Sequence, residues 1–217
     1  MRDIFFKYMQ DPNTWMSIIA ITISLIALFQ TAKQIKLSNK QHCFDRRIEK
    51  YMFVRDLLKL YKDNRVLFIN NKSICETVDF PFVMLTNCAS LESMGAAIST
   101  PLHKETHKEY LLKIEMIDKY AVEIKLLWDT EEGWLASRFV YQYKEFLHAM
   151  YKQQIWLKKQ DETYNPNNPP LLDEFQKQAN DMAINTQLFD AIDNIEKTYH
   201  KIVEKDIEQH MIKSLRL

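Results

Sequence analysis

Glycine is almost absent from this chain. Only Gly95 and Gly133 occur in 217 residues. Sheets and cofactor-binding loops need many tight turns, and glycine enters those turns without strain. The scarcity therefore argues against turn-rich β folds and against a glycine-rich loop that binds phosphate. Because the helix-forming residues Lys, Glu, Gln, Leu and Ile are abundant, the sequence predicts an all-α protein.

Cysteine and net charge are scarce as well. Cys43, Cys75 and Cys88 are an odd number, and no two of them have CxxC spacing. They fit ordinary thiols in a reducing compartment better than a disulfide framework or a zinc knuckle. The 29 basic residues are balanced by 29 acidic residues. A general nucleic-acid binder usually has a basic excess, so the totals do not favour that function.

Charge is missing altogether between Trp15 and Phe29. Extended to residues 13–32, this apolar stretch has about the length that a bilayer core requires. The alternatives are a cleaved signal peptide and a helix buried in a soluble core. A signal peptide is disfavoured because acids offset the preceding cations and no small-x-small cleavage site follows. We therefore predict a transmembrane helix over residues 13–32, with residues 1–12 as a short interfacial segment.

Cations dominate the chain directly after the predicted span. The set comprises Lys33, Lys36, Lys40, Arg46 and Arg47. By the positive-inside rule, the N-terminus faces outward and the C-terminal bulk lies in the cytoplasm. We interpret this basic set as a contact with anionic lipid, and a site for a phosphate-bearing ligand is the alternative.

Proline and glycine are both missing between Pro12 and Pro81. Pro12 suits the first helical position, because its missing N–H donor costs nothing there. The sequence predicts one helix from residue 12 to about residue 62. Beyond the span, residues 33–63 form a stalk, and residues 64–217 form a cytosolic helical bundle.

Within the predicted bundle, apolar residues recur at helical spacing. We expect a short helix over 82–98, a long one capped by Thr100 or Ser99, and another that Gly133 separates from it. A last helix, from about 170 to 213, follows the loop "TYNPNNPP". Its predicted apolar face comprises Leu172, Phe175, Ala179, Met182, Phe189, Ile192, Tyr199 and Val203.

Small and polar residues recur at steps of three and four through the span and beyond it. We call this set the polar seam; its members are Asn13, Ser17, Ala20, Ser24, Ala27, Thr31, Gln34, Ser38 and Gln41. A 3.5-residue repeat is the geometry of parallel, left-handed helix bundles. Three interpretations stay open: close packing of two helices, a water-filled pore between four or more parallel copies, and no special role. Because the seam continues past the span, where packing does not need it, we favour a hydrated axis. An uncharged seam predicts weak ion selectivity.

No catalytic motif emerges from the chain. His103 and His107 are four residues apart, but Lys104 follows His103 where the zinc-protease pattern requires Glu. We expect both at the exposed start of a helix and His148 packed among core aromatic residues. The sequence therefore predicts no enzyme, no cofactor and no metal site.

The block "KQIKLSNKQHCFDRRIEKYMFVRDLL" follows directly on the span. In this layout, over about residues 13–60, the chain resembles small bacterial membrane proteins with one anchor, a basic helical stalk and a helical cytosolic domain. It is similar in layout to membrane effectors of antiphage systems. The resemblance implies a homo-oligomer in the bacterial inner membrane that acts like a channel in antiviral defence. It also implies a trigger, either a nucleotide or nucleic-acid-derived signal or a cytosolic sensor protein. The alternative is a membrane-anchored scaffold that recruits a cytosolic partner.

Overall fold

A computed structural model describes residues 12–69, 78–101, 103–163 and 183–215. All regular secondary structure in these ranges is helical, which confirms the predicted all-α class. The predictions for residues 1–11, for the loop after Thr163 and for the last helix before Ala183 fall outside the described residues. The chain divides into two compact units, Met1–Arg46 and Arg47–Leu217.

Helix α1 is the longest element among the described residues and spans Pro12–Asn64. Its 53 residues give a length of about 80 Å. Its start and its end agree with the helix predicted from residue 12 to about 62. Among the described residues it is the one helix that is long and apolar enough to cross a membrane. The apolar window is exposed rather than buried in a core.

The second unit also contains the last part of α1 and a series of shorter helices. These are α2 (Val66–Ile69), α3 (Asp79–Thr86), a 3-10 turn (Glu92–Met94), α4 (Gly95–Ser99), α5 (Lys104–Leu127), α6 (Glu131–Thr163), α7 (Ile184–Glu204) and α8 (Ile207–Ser214). Helix α6 is central, because α3, α5, α7 and α8 all pack against it.

Aromatic side chains fill the core of the second unit. Tyr61 of α1 lies against the rings of Phe139 and Tyr199, at centroid distances of 6.0 and 5.2 Å. Phe68 meets Phe146 edge to face at 5.0 Å. Such edge-to-face pairs add to the free energy gained from burying apolar area. The core therefore ties the end of α1 to α6 and α7.

Two of the predicted helices are interrupted. The helix expected over 82–98 ends at Thr86, and a turn separates it from α4. The helix expected up to residue 213 breaks at Asp206, whose backbone is left-handed with φ of 48°. The predictions that Phe189 and Val203 face the core are wrong, since those side chains are 40% and 59% exposed.

The turn between α5 and α6 differs from the prediction as well. The chain leaves the helical conformation at Trp128, and Gly133 lies in the first turn of α6 rather than between the helices. A Cβ at Gly133 would lie 2.0 Å from the Trp128 carbonyl oxygen. Glycine is needed here because the backbone of the turn folds back onto the new helix. Likewise, His103 rather than Ser99 or Thr100 is the residue before α5.

Candidate functional site: the polar seam of helix α1

The polar seam occupies one narrow face of the first half of α1. At about 100° per residue, its six members from Asn13 to Thr31 lie within a sector of about 80°. No other residue between those two falls in that sector, so every aliphatic side chain lies outside it. Gln34, Ser38 and Gln41 continue the seam with a gradual drift, as a 3.5-residue repeat does on a 3.6-residue helix. All nine seam residues are exposed.

The hydroxyl groups of the seam donate to the backbone of their own helix. Ser17 Oγ lies 2.9 Å from the Asn13 carbonyl oxygen, Ser24 Oγ 2.8 Å from that of Ala20, and Thr31 Oγ1 2.8 Å from that of Ala27. These bonds satisfy each hydroxyl donor without water. The lone pairs of the hydroxyl oxygens remain free to accept. The seam can therefore meet either another helix or water.

Thr22 supplies a comparison on the opposite side of α1. It lies about 180° from Asn13 around the helix, and its hydroxyl donates to the Ile18 carbonyl oxygen at 2.8 Å. Hydroxyl groups on both sides are thus satisfied in the same way. What distinguishes the seam is the absence of large side chains from its sector.

Large apolar side chains outside the seam are strongly exposed. Leu28 and Phe29 are 72% and 74% exposed, and Ile21 and Leu25 are 61% and 64% exposed. Isolated apolar residues are ordinary on a protein surface, whereas a continuous apolar patch marks a contact with another protein or a membrane. The first half of α1 therefore requires a covering of lipid or of neighbouring helices.

The basic set divides into two kinds of residue. Lys33, Lys36, Lys40 and Arg46 are exposed. Arg47 is half-buried, and its Nε and Nη2 donate to the Leu127 carbonyl oxygen at 3.2 and 3.1 Å. A cation at the C-terminus of α5 satisfies an orphan carbonyl and opposes the negative end of the helix dipole. Four cations thus remain for lipid headgroups or another anionic ligand.

Comparison with known proteins adds no family to this geometry. No protein-family model, curated protein or solved structure matches the chain. The functional argument therefore rests on the residues themselves.

A buried cation that the sequence analysis missed lies where α1 meets α5. Lys50 is 3% exposed, and its ammonium lies 2.9 Å from carboxylate oxygens of both Glu49 and Glu123. It also sits 3.2 Å from the centre of the Tyr120 ring. Burial alone would lower the pKa of Lys50, but the hydrogen bonds to the two carboxylates raise it above its ordinary value. This cation fixes α1 on α5 rather than binding a ligand.

A second polar cluster joins the end of α1 to α7 around the Glu196 carboxylate. Tyr61 donates its hydroxyl to Glu196 at 2.7 Å, Arg65 forms an ion pair with the same carboxylate, and His200 Nε2 lies 2.9 Å away. Burial, followed by the bond to Glu196, raises the pKa of Tyr61 well above its ordinary value. The cluster links α1 to α7 as a structural joint, although Arg65 Nε is buried without a hydrogen-bond partner among the described residues.

An open groove of about 620 Å³ lies between α1 and the α7–α8 break. The cations Arg55, Lys59 and Lys62 line it on the α1 side, and Asp206 and Glu208 line it on the other side. Its remaining lining is Asp56, Leu58, Asp63, Tyr199, Ile202 and Val203. The volume is within the usual range of ligand sites, and the mixed charge suits a partner that carries both signs.

The histidines hold no metal site among the described residues, where no group of three or more potential metal-binding side chains occurs. His103 is exposed just before α5, as predicted. His107 Nδ1 lies 2.8 Å from the Tyr151 hydroxyl. His148 is half-buried against Tyr110, 3.1 Å from its hydroxyl, which agrees with the prediction of a packed histidine. Burial lowers the pKa of His148, so it is neutral at pH 7.

Proposed function

We propose that this protein is a non-enzymatic, channel-like membrane effector that assembles from parallel copies and functions in antiviral defence. In this proposal the first half of α1 spans the bacterial inner membrane once, with the N-terminus outside and the bulk of the chain in the cytoplasm. The seam faces a common axis, and the cytosolic bundle controls whether that axis conducts. The observation that carries the proposal is a sector of α1, about 80° wide, that holds only small and polar residues from Asn13 to Thr31.

The energetic argument concerns where polar groups are tolerated. Polar side chains inside a bilayer are costly unless they face protein or water. The exposed aliphatic side chains of α1 suit lipid and neighbouring helices, which leaves the seam for the axis. Free acceptor oxygens on Ser17, Ser24 and Thr31 provide polar contacts for water without leaving unsatisfied donors in the dry state. Such a seam is compatible with a closed and an open arrangement.

The exposed cations after the span support the proposed orientation. Lys33, Lys36 and Lys40 follow the apolar stretch closely, and no acid lies between Asp11 and Asp45. Cations near anionic lipids on the cytoplasmic side each contribute about 1 kcal/mol. The trigger we propose is a nucleotide or nucleic-acid-derived signal, or a cytosolic sensor protein, that reaches the bundle from the cytoplasm.

Planar-bilayer recordings on Ser24→Leu test the proposal. Leucine in the seam fills the axis, so we expect conductance to fall at least tenfold, roughly the effect of a 1.4 kcal/mol barrier, while assembly is retained. Thr22→Leu is the matched control, because it makes the same apolar replacement of a back-bonded hydroxyl on the opposite side. It should leave conductance unchanged.

Two results would contradict the pore. One is a purified oligomer that never conducts, even when nucleotides or nucleic acid are added. The other is equal loss of conductance in Ser24→Leu and Thr22→Leu, since that would remove the significance of the seam.

The second candidate function is a membrane-anchored scaffold. The observation that favours it is that the seam hydroxyl donors are already satisfied, so two helices can pack there without water. The mixed-charge groove would then receive the cytosolic partner. A scaffold predicts that function survives replacement of residues 14–32 by an unrelated poly-Leu span, whereas a pore predicts its loss.

A further inference from the structure

Helix α1 presents an exposed face within the second unit, on the side away from the core. Residues spaced by three and four fill its buried side, and these include Val54, Leu57 and Tyr61. Between them lies a strip that faces solvent, and five of its residues also form the α1 wall of the open groove beside the α7–α8 break. We call this strip the outer face of α1; its residues are Ile48, Met52, Arg55, Asp56, Lys59, Lys62 and Asp63, all classed as exposed or nearly so.

Charge is segregated across the outer face. At about 100° per residue, Ile48, Arg55 and Lys62 lie along one line because they are seven residues apart. Asp56 and Asp63 lie along a second line, about 100° further round the helix. Met52 and Lys59 lie between the two lines. The face therefore has a basic flank that begins at Ile48, an acidic flank, and Met52 and Lys59 between them. Ile48 and Met52 are 37% and 38% exposed.

From this pattern we propose that the outer face of α1 is a self-association surface on which a second copy of the chain docks in parallel. In parallel copies related by rotation about a common axis, the basic flank of each helix faces the acidic flank of the next. In an antiparallel pair, equivalent flanks would meet and like charges would repel. The charge order thus selects the parallel arrangement. Parallel copies are also what single-span insertion requires, and in this respect the inference rests on the proposed function.

The intrachain alternatives for these charges are weak. Asp206 and Glu208 line the same groove from the other side, but among the described residues no ion pair joins them to Arg55 or Lys62. Arg55 and Asp56 lie 3.6 Å apart, but both side chains are more than 40% exposed. A solvent-exposed pair of this kind contributes little. Lys59 at the centre would repel its copy, so its long side chain must turn toward Asp63, four residues further on. A charged centre keeps the contact weak and reversible, which suits an assembly that responds to a signal.

Charge reversal on the full chain in lipid nanodiscs tests the surface. R55E/K62E makes both flanks acidic, and D56K/D63K makes both flanks basic. We expect each variant alone to self-associate at least about tenfold more weakly than the unmodified chain, because favourable pairs become repulsive. An equimolar mixture of the two should recover association, since one variant supplies acid and the other supplies base. E109K/E115K is the control; it makes the same change of net charge as D56K/D63K, on exposed residues of α5, and should have no effect.

The parallel orientation of the copies is tested separately, by disulfide crosslinking. In a background without Cys43, Cys75 and Cys88, M52C should form a disulfide between copies, because parallel helices bring position 52 opposite itself. V122C, on the exposed side of α5, should stay monomeric on the same gel. Helicity and the unfolding midpoint of each variant show whether it has folded.

The proposal is overturned if both reversed variants associate as well as the unmodified chain, or if mixing them restores nothing. It is also overturned if V122C crosslinks and M52C does not. Conductance is recorded on the same samples. If the charge reversals have no effect on an oligomer that conducts, the proposed self-association surface is wrong and the proposed pore is retained. Charge-dependent assembly without conductance would retain the surface and remove the pore.

Discussion

The two ends of helix α1 differ in whether their large apolar side chains are buried. In the first unit, Phe29 is 74% exposed and the hydroxyls bond to carbonyls four residues away. In the second unit, Tyr61 is fully buried, and its hydroxyl donates to Glu196, 135 residues away. The second unit buries most of its large apolar side chains in a core, whereas those in the apolar stretch of the first unit are exposed. One continuous helix therefore contributes both to a packed core and to a segment whose apolar surface stays uncovered within the chain.

The largest test of this contrast removes one phenyl ring from each region. Phe146 is fully buried against Phe68, so Phe146→Ala should lower the free energy of unfolding by about 3–5 kcal/mol. Phe29→Ala should change it by less than about 0.5 kcal/mol, because its ring has no place in the core. Denaturant unfolding in mild detergent, followed by near-UV circular dichroism, measures both. If the two variants lost the same stability, the first half of α1 would have to pack inside the protein, and the contrast would disappear.

A smaller effect is expected from a hydroxyl that joins two helices. Tyr143 is fully buried and donates to the Leu85 carbonyl oxygen of α3 at 2.6 Å. Tyr143→Phe keeps the ring but leaves that carbonyl without its partner, which should cost about 1–2 kcal/mol at pH 7. Tyr141→Phe, which changes an exposed ring on the same helix, is the control and should be neutral.

The same substitution should change the response to alkaline pH. Burial raises the pKa of Tyr143 well above its ordinary value of 10.0, so the folded side chain stays neutral when the unfolded one ionises. A raised folded-state pKa gives stability that is complete below about pH 10 and is lost as pH rises above it. The unfolding midpoint should therefore fall less steeply above pH 10 in Tyr143→Phe than in the unmodified protein. Equal slopes would mean that this hydroxyl is hydrated in the folded state.

Patterns of apolar and helix-breaking residues were enough to predict much of the fold. The lack of glycine and proline after Pro12 gave the start and the length of α1. In α5, Tyr110, Ile117 and Ile124 recur at helical spacing, and all three are buried. Such patterns work because residues that recur at helical spacing lie on one face of the helix, and an apolar face is the one that packs into the core.

The breaks and the polar clusters were harder to predict. Asp206 lies in "EKDIEQ", which has neither glycine nor proline, yet its backbone is left-handed, a conformation that Asp adopts more readily than most residues. The sequence did contain a signal for Lys50. The buried stripe that includes Val54 and Leu57 also includes position 50, one turn before Val54 and two turns before Leu57. A cation on a core stripe requires buried acids, and Glu123 came close only through the fold. The sequence showed that the seam residues share one side of the helix. It did not show which carbonyl oxygens their hydroxyl groups bond to.

The smallest expected effects come from two threonine hydroxyls, one in each unit of the chain. Thr22 in α1 and Thr86 in α3 make the same bond, donating to the carbonyl oxygen four residues earlier at 2.8 and 3.0 Å. Thr22 is exposed and Thr86 is buried. Because these bonds hold no two elements together and the acceptor carbonyl keeps its helical partner, Thr→Val should change the unfolding free energy by less than about 0.5 kcal/mol at either site. The two variants should differ in membrane insertion. Thr22→Val should favour insertion into vesicles, since it removes a hydroxyl from an exposed side of the apolar stretch, and Thr86→Val should leave insertion unchanged. Unfolding and vesicle flotation, measured side by side, check both statements. A large loss of stability from Thr22→Val alone would show that its hydroxyl bonds to a second helix, and the opposite side of α1, rather than the seam, would then be the face on which copies meet.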